Sequence, residues 1–269
     1  MRNVILLLLL TSTLACEKVN LKTADYDLPV VEAYLIPGED IKVIITHQLV
    51  YASSDSVEQS LPGLNVLISD GEIEYLMENS GDSVYSNPDI IVEVGKTYKL
   101  SFKYNNLTIS SETTIPSKPT DLSITSTVLE AFSMSGFIPG QGPPEPPEPA
   151  TLTWSNPEGS YYMIVFENIE GNPVLINTSD TIRERRFRNE PVQADIQDIN
   201  PMIFKYYGRH NLILYHLNPE YAALYEQLSS TSLDLATPPS NINNGLGIFT
   251  GINSDTILVY LVHSTTCEG

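Results

Sequence analysis

Cysteine and basic residues are scarce in this chain of 269 residues, which holds two cysteines and 14 lysines plus arginines. Only Cys16 and Cys267 could pair, so a small secreted scaffold held by several disulfides is excluded. The 33 aspartates plus glutamates leave a formal net charge of −19. Such an acidic surface repels nucleic acid, and we therefore expect no DNA or RNA partner.

Long hydrophobic runs are also missing, because none reaches the roughly 20 residues that a membrane-spanning helix needs. The run at residues 4–10 follows Arg2 and leads to Ala15 and Cys16, which is the order of a signal peptide. A small residue directly before a cysteine resembles the lipobox of bacterial lipoproteins. We therefore predict that residues 1–15 are removed and that palmitate-type acyl chains on Cys16 anchor the protein in a membrane. The alternative is an ordinary secretory signal followed by a chance cysteine.

Residues after the cysteine predict a tether and then a β-rich body. Residues 16–27 are polar and suit a lipidated spacer between the membrane and the folded part. From there on, short strand-type runs are separated by turn signals. The clearest run, Thr97–Tyr104, places an apolar or aromatic residue at every second position, as in a half-buried strand, and Leu107–Thr114 also alternates. We predict an immunoglobulin-like β-sandwich over residues 28–117.

Prolines around residues 115–119 predict a boundary, followed by a second β-rich domain over residues 118–269. The predicted fold class is thus all-β, with two immunoglobulin- or fibronectin-like sandwiches in tandem. The second contains a proline-rich loop at residues 138–149, which is either a plain surface loop or a docking strap. It also contains one short helix at residues 219–230, which Asn218 can cap.

The strands of this second domain are predicted at residues 121–129, 161–169, 212–217 and 255–263, of which the second and third are apolar on two faces, as central strands are. The glycines Gly245, Gly247 and Gly251 predict turns or bulges.

No catalytic or metal-binding pattern stands out. The sequence holds no Gly-x-Ser-x-Gly, His-Glu-x-x-His or Cys-x-x-Cys motif. Its four histidines are scattered, at His47, His210, His216 and His263. His210 and His216 would lie about 20 Å apart on one strand, too far to share a metal. We therefore expect structural histidines, no metal, no cofactor and no enzymatic activity.

Arginine is concentrated in one short segment. Four of the six arginines in the chain are Arg183, Arg185, Arg186 and Arg188. On a strand, Arg186 and Arg188 would share one face. Because arginine binds carboxylates and phosphates with two parallel hydrogen bonds, this cluster is a candidate site for an acidic partner loop or an anionic ligand. The alternative is that the arginines keep an edge strand from pairing with other chains, or that they pair with acidic residues of the same chain.

A second pattern is an aspartate followed by serine or threonine and an aliphatic residue. It occurs with hydroxyl groups at Ser56, Ser83, Thr181 and Thr256. The pattern resembles the O-glycosylation signal of exported Bacteroidota proteins. The alternative is that aspartate closes a turn and a β-branched residue begins a strand.

Several segments together are similar to a known family. They are the lipobox at Cys16, residues 31–35 (Val-Glu-Ala-Tyr-Leu), residues 94–98 (Val-Gly-Lys-Thr-Tyr) and residues 240–249 (Ser-Asn-Ile-Asn-Asn-Gly-Leu-Gly-Ile-Phe). They resemble domain of unknown function 4249, a family of Bacteroidota lipoproteins. The resemblance implies an outer-membrane lipoprotein, often encoded beside a TonB-dependent transporter. It supplies no activity and no active-site residues.

These observations lead to one functional expectation with two alternatives. We expect a lipid-anchored outer-membrane protein, on either the cell-surface or the periplasmic face, that acts as a non-enzymatic binding or accessory module for a TonB-dependent transporter. The first alternative is a surface adhesin or structural envelope lipoprotein. The second is a hydrolase whose site lies on loops that sequence patterns do not identify.

Overall fold

The computed structural model describes five stretches of the chain. They are residues 27–48, 59–131, 146–178, 184–229 and 239–264. The predicted signal peptide, Cys16 with its tether up to residue 26, residues 138–145 of the proline-rich loop, and Cys267 lie outside them. The described stretches are mostly β, with fifteen strands and one α-helix, which confirms the all-β prediction.

Seven strands occupy the N-terminal part of the chain. They are β1 (Pro29–Leu35), β2 (Asp40–His47), β3 (Val66–Ser69), β4 (Glu74–Gly81), β5 (Val84–Ile91), β6 (Thr97–Tyr104) and β7 (Leu107–Thr114). Strands β6 and β7 have the predicted bounds. Their alternation is regular because one face of each strand packs into a core while the other stays wet.

Eight further strands and the helix follow. They are β8 (Ser123–Ile124), β9 (Val128–Ala131), β10 (Ala150–Thr153), β11 (Tyr161–Asn168), β12 (Arg186–Arg188), β13 (Ile196–Ile199), β14 (Gly208–Leu217), α1 (Pro219–Ser229) and β15 (Leu246–His263). A 3-10 turn at Pro201–Ile203 precedes β14. No helix in the described stretches is both long and apolar enough to cross a membrane.

Strand β15 joins the N-terminal strands to the C-terminal ones within one sheet of twelve strands. The strand order is β12-β11-β14-β15-β1-β2-β5-β4-β3-β6-β7, with β9 also paired to β15. Residues 246–251 of β15 pair in parallel with β1, residues 252–261 pair with β14, and residues 260–263 pair with β9. A separate sheet of three strands has the order β13-β10-β8.

The first hydrophobic core lies among β1 to β7, but the C-terminal part of the chain completes it. Val31, Tyr85 and Leu100 are buried at its centre. Ile242 and Phe249, more than a hundred residues further along the chain, are buried in the same cluster. The core of residues 28–117 therefore closes only when the start of β15 has docked.

The second core lies between the C-terminal half of the large sheet and the three-stranded sheet. Ile164, Leu214 and Val259 come from the large sheet, and Leu152 comes from the small one. The opposite face of β11 and β14 is also apolar, with Met163 and Leu217 buried there. The sequence predicted central strands that are apolar on two faces in this region, and the structure confirms it.

Two strand predictions were wrong in their bounds. Residues 121–129 were expected to form one strand, but the hydroxyl group of Ser126 hydrogen-bonds both backbone groups of Val128. The chain therefore turns there, and β8 and β9 join different sheets. The last strand was expected at residues 255–263, but it begins at Leu246. Of the glycines that predict turns or bulges, Gly245 lies in the bend just before this strand, whereas Gly247 and Gly251 lie inside it.

The helix lies where it was predicted, at Pro219–Ser229, but Asn218 acts differently than expected. The backbone carbonyl of Asn218 accepts the first helical hydrogen bonds, from Tyr221 and Ala222. Its side-chain amide nitrogen donates instead to Thr113 and Thr114 of β7. The residue thus fixes the start of the helix against the N-terminal strands.

The β3–β4 turn contains a carboxylate, that of Asp70, whose charged form accepts three hydrogen bonds. We expect it to make the free energy of unfolding depend on pH in the acid range. Hydrogen bonds from the backbone N–H of Ile73, the Lys96 ammonium and the N–H of Glu72 lower the pKa of Asp70 to about 2. Because the folded-state pKa lies below the ordinary value of 3.8, the stabilisation is present near neutral pH and is lost as the pH falls towards 2.

Asp70→Asn should therefore lower the free energy of unfolding near neutral pH, and the difference from wild type should shrink as the pH drops through that window. Urea unfolding measured across the acid range checks this expectation. Asp89→Asn, an exposed position on β5, controls for the loss of one negative charge. A difference between wild type and Asp70→Asn that does not change with pH would contradict the role of the carboxylate.

Candidate functional site: a groove lined by tyrosine and arginine

The outer face of the large sheet carries a concave groove where its two halves meet. Its floor is apolar and is formed by residues such as Met163, Val165 and Ile252. These side chains face away from the second core, because neighbouring residues on a strand point to opposite faces. The groove has a volume of about 800 Å³.

Polar and aromatic side chains from four elements surround this floor. They are Glu32 and Tyr34 on β1, Arg186 and Arg188 on β12, Tyr215 on β14 and Tyr221 on α1. The helix contributes because it lies against β15, where Thr250 donates a hydrogen bond to the carboxylate of Glu220 at 2.9 Å. The groove is therefore assembled from both ends of the chain.

The arginines of the groove lie against its tyrosines. The guanidinium of Arg188 lies 5.3 Å from the centre of the Tyr225 ring, within cation–π range. Arg186 donates a hydrogen bond to the hydroxyl group of Tyr215 at 3.3 Å. Tyr34 and Tyr221 meet edge to face, with ring centres 6.0 Å apart. These contacts hold the polar lining in a defined arrangement before any ligand arrives.

Burial favours the protonated form of two phenols in the groove, those of Tyr34 and Tyr221. Burial, together with the nearby carboxylate of Glu32, raises the pKa of Tyr34 to about 12. Burial also raises the pKa of Tyr221. A hydrogen bond with Tyr225 raises the pKa of Arg188. The groove thus presents hydroxyl donors and two guanidinium groups beside the carboxylates of Glu32 and Glu184.

The structure divides the arginine cluster between two roles. Arg186 and Arg188 share a face, as predicted for a strand, and both line the groove. The carboxylate of Glu167 lies 3.8 Å from the guanidinium of Arg186. Arg185 points elsewhere and donates to the backbone carbonyls of Asn168 and Glu170, which is a structural use. Arg183 lies outside the described residues.

Two of the histidines are held inside the C-terminal half of the sheet. His210 is buried beside the side-chain amide of Asn168, and burial lowers its pKa. His216 stacks on Tyr162, with ring centres 4.8 Å apart, and its Nδ1 lies 2.9 Å from the carbonyl of Ser117. Both contacts are structural.

The other two histidines are the last residues of β2 and β15. The Nδ1 of His47 lies 3.0 Å from the carboxylate of Asp27, which also accepts a hydrogen bond from the hydroxyl group of Tyr104. His263 lies beside Ser264 near the end of β15. In the described stretches, no three histidine, cysteine or acidic side chains lie close enough together to hold a metal ion.

Of the four candidate glycosylation positions, the structure describes two. Ser83 is partly buried in the turn between β4 and β5, and its carbonyl accepts a hydrogen bond from Ile45. Thr256 is exposed in the middle of β15, and it pairs with Ile213 on the face that carries the groove. Ser56 and Thr181 lie outside the described residues.

The tyrosines of the groove were not identified from the sequence. Tyr34, Tyr215 and Tyr221 come from three distant segments, and no spacing pattern relates them. The only signal that pointed to this site was the density of arginine in an acidic chain. Even that signal did not separate Arg185 from its two neighbours in the groove.

Comparison with known proteins identifies a family. No curated protein matches the chain. The family model described as Domain of unknown function (DUF4249) matches residues 17–257, which is most of the chain. The match covers the N-terminal strands, the groove and the greater part of β15. The chain therefore belongs to the DUF4249 family.

Proposed function

We propose that this protein is a lipid-anchored lipoprotein of the Bacteroidota outer membrane that acts without catalysis, as a binding or accessory module for a TonB-dependent transporter. The proposed anchor is the acylated Cys16, and the proposed contact site is the groove. The lipobox pattern supports the anchor, and the family's frequent association with such transporters supports the accessory role. The lining of the groove supports the groove as the contact site.

The composition of the groove is the observation that carries the proposal. Tyrosine and arginine are the residues most enriched where protein interfaces concentrate their binding energy. Here Tyr34, Tyr215 and Tyr221 stand around an apolar floor beside Arg186 and Arg188. Each is already placed by a neighbour, so little side-chain entropy remains to be lost on binding.

The charge of the groove suggests the chemistry of its partner. The chain as a whole carries a formal charge of −19 and repels acidic surfaces. In the groove, Arg186 and Arg188 offset the carboxylates of Glu32 and Glu184. The groove is thus neutral where the chain as a whole is acidic, so an exposed transporter loop with an acidic side chain next to apolar ones would meet less repulsion here and could place that side chain beside Arg186 or Arg188.

A finer description of the fold belongs to the same proposal. We propose that residues 28–117 form an immunoglobulin-like sandwich and that the second unit is also sandwich-like. The order β1-β2-β5-β4 followed by β3-β6-β7 supports the first part, because immunoglobulin constant-type domains arrange their seven strands in this way. The two cores and the separate three-stranded sheet support the second part.

Charge reversal in the groove tests the proposal. In an affinity pull-down from envelopes, Arg186→Glu with Arg188→Glu should recover at least about tenfold less transporter than wild type, because two interface arginines are lost and two repulsive charges replace them. The control is Lys99→Glu with Lys103→Glu on β6, which changes the net charge equally at a site away from the groove. Circular dichroism should show both double variants to be folded.

Three results would count against the proposal. Wild-type protein that retains no transporter would remove the accessory role. Equal recovery with the groove variant and its control would remove the groove as the contact site. A deletion strain that loses adhesion while its transporter-dependent uptake stays normal would favour an adhesin instead.

A further inference from the structure

A second cavity opens on the other side of β12, at the edge of the C-terminal sandwich. There the edge strand β12 of the large sheet faces β13 of the small sheet, and the space between them stays open. We call this space the edge cavity. Its volume is about 420 Å³, within the usual range for small-molecule sites. It opens beside the groove, and Glu184, Phe187 and Arg188 border both spaces.

The base of the edge cavity is apolar and rigid. Phe187 stacks on Phe166 with ring centres 4.7 Å apart and an angle of 8° between the ring planes. Phe204 packs against both rings edge to face. Phe187 is only partly buried, and Ile203 beside it is 39% exposed. The cavity thus offers a fixed flat surface that a ligand could cover.

Two amide side chains on the rim are fixed through their oxygen atoms. The Oδ1 of Asn189 accepts a hydrogen bond from the backbone N–H of Ile164 at 2.6 Å. The Oδ1 of Asn200 accepts one from the N–H of Met202 at 2.9 Å. Each amide nitrogen, which can donate two hydrogen bonds, has no partner among the described residues.

Two other rim side chains, those of Gln197 and Asp198, are held by hydrogen bonds that leave an oxygen atom as an acceptor. Gln197 uses its side-chain nitrogen to bond the carbonyl of Asp198 at 3.2 Å, which leaves its oxygen as an acceptor. One carboxylate oxygen of Asp198 accepts a hydrogen bond from Thr151 at 2.9 Å, and the other oxygen has no partner in the described part of the chain. The rim therefore presents donors and acceptors together, each held in place by the protein.

The charges around the edge cavity balance. Glu184 and Asp198 contribute two carboxylates, and Arg188 and Lys205 contribute two positive charges. A charged ligand would be attracted by the side chains of opposite charge and repelled by those of like charge. A neutral ligand whose groups both donate and accept, as hydroxyl groups do, would use the whole rim.

We propose that the edge cavity binds a neutral polyhydroxylated ring of the size of one sugar residue. Such a ring has an apolar face of C–H groups, which would lie on Phe187, and a rim of hydroxyl groups, which would meet Asn189, Gln197, Asp198 and Asn200. The inference does not rest on the transporter proposal, because the ligand is of a different kind and the four polar rim residues do not line the groove.

Saturation-transfer NMR on the full-length protein in detergent tests the inference. The probes are neutral sugars (glucose, galactose, mannose and N-acetylglucosamine) at millimolar concentration, with glucuronic acid as a charged comparison. At least one neutral sugar should receive saturation from the protein. Gln197→Ala with Asp198→Ala should weaken its binding at least about fivefold, since two hydrogen bonds are removed. Gln193→Ala, an exposed glutamine outside the cavity, should leave binding unchanged.

A second variant addresses the base of the cavity. Phe187→Leu should also weaken binding, because it removes the flat ring while keeping an apolar side chain against Phe166. Transfer to none of the neutral sugars, unchanged transfer in the rim variant, or stronger binding of glucuronic acid would overturn the inference. The double variant Gln197→Ala with Asp198→Ala should still retain the transporter in the pull-down as wild type does. The sugar-binding test and the transporter test can therefore fail separately.

Discussion

Replacing Gly247 with alanine is expected to destabilise the protein by about 3 kcal/mol, since a strained backbone angle and an overfilled contact each cost about 1 to 3 kcal/mol. Gly247 has a φ of +100°, in the region that favours glycine. A Cβ at this position would lie 2.0 Å from the backbone carbonyl oxygen of Val31. Because Val31 belongs to the partner strand β1, relief of the clash requires β15 and β1 to separate.

The consequence should reach the whole N-terminal half. Phe249, two residues further on, is fully buried in the first core, so a displaced β15 removes part of that core. Denaturant unfolding followed by circular dichroism measures the loss. Gly171→Ala is the matched control, because a Cβ at Gly171 would meet nothing within 4 Å. Equal midpoints for the Gly247 variant and wild type would show that β15 does not pass β1 at this distance.

Replacing Cys16 with serine is expected to release the protein from membranes completely. The proposed acyl chains supply about 0.8 kcal/mol per buried CH₂ group, and several chains together give durable anchoring. Serine cannot form the thioether, so this variant should incorporate no labelled palmitate and should move to the soluble fraction. Fractionation of cells after growth with labelled palmitate measures both outcomes.

The second cysteine provides the control for this experiment. Cys267→Ser removes the other thiol of the chain and should leave both the label and the sedimentation with envelopes unchanged. A Cys16→Ser variant that still sediments wholly with envelopes, together with a wild type that carries no label, would remove the lipoprotein part of the proposal.

Sequence patterns predicted well those strands whose packing is regular. Thr97–Tyr104 and Leu107–Thr114 have the predicted bounds because each strand buries one face and leaves the other in water. The helix at Pro219–Ser229 was also found, since proline in the first turn and helical spacing are local signals. Patterns over a few residues are enough to predict a strand or helix whose packing is the same along its whole length.

Predictions were wrong where a distant partner or a single side chain decides the structure. The hydroxyl group of Ser126 ends β8 and separates it from β9, although the surrounding residues favour one strand. The last strand begins at Leu246 and not at Asp255, because its first part pairs with the backbone of β1, which passes close beside Gly247. In both places the deciding contact involves a backbone group whose position the sequence does not indicate.

For the candidate site, the sequence identified charge but not shape. Arginine density marked the segment around Arg186 and Arg188, because six arginines in an acidic chain make a cluster of four conspicuous. The tyrosines that contact them, such as Tyr215 and Tyr225, became visible only in the folded protein. The edge cavity has Arg188 at its border, but no sequence pattern identified its other rim residues, because polar side chains are common in the segments that contain them.

The sequence alone determined the all-β class, the family and the shared face of Arg186 and Arg188, because alternation and composition act over a few residues. Only the tertiary structure decided that one strand of 18 residues, β15, pairs with both halves of the chain. That pairing completes the first core and brings β1, β12 and α1 around one groove. Contacts between residues far apart in the chain form only when the long segments between them fold so that their ends meet. No pattern over a few residues indicates which distant segments will meet.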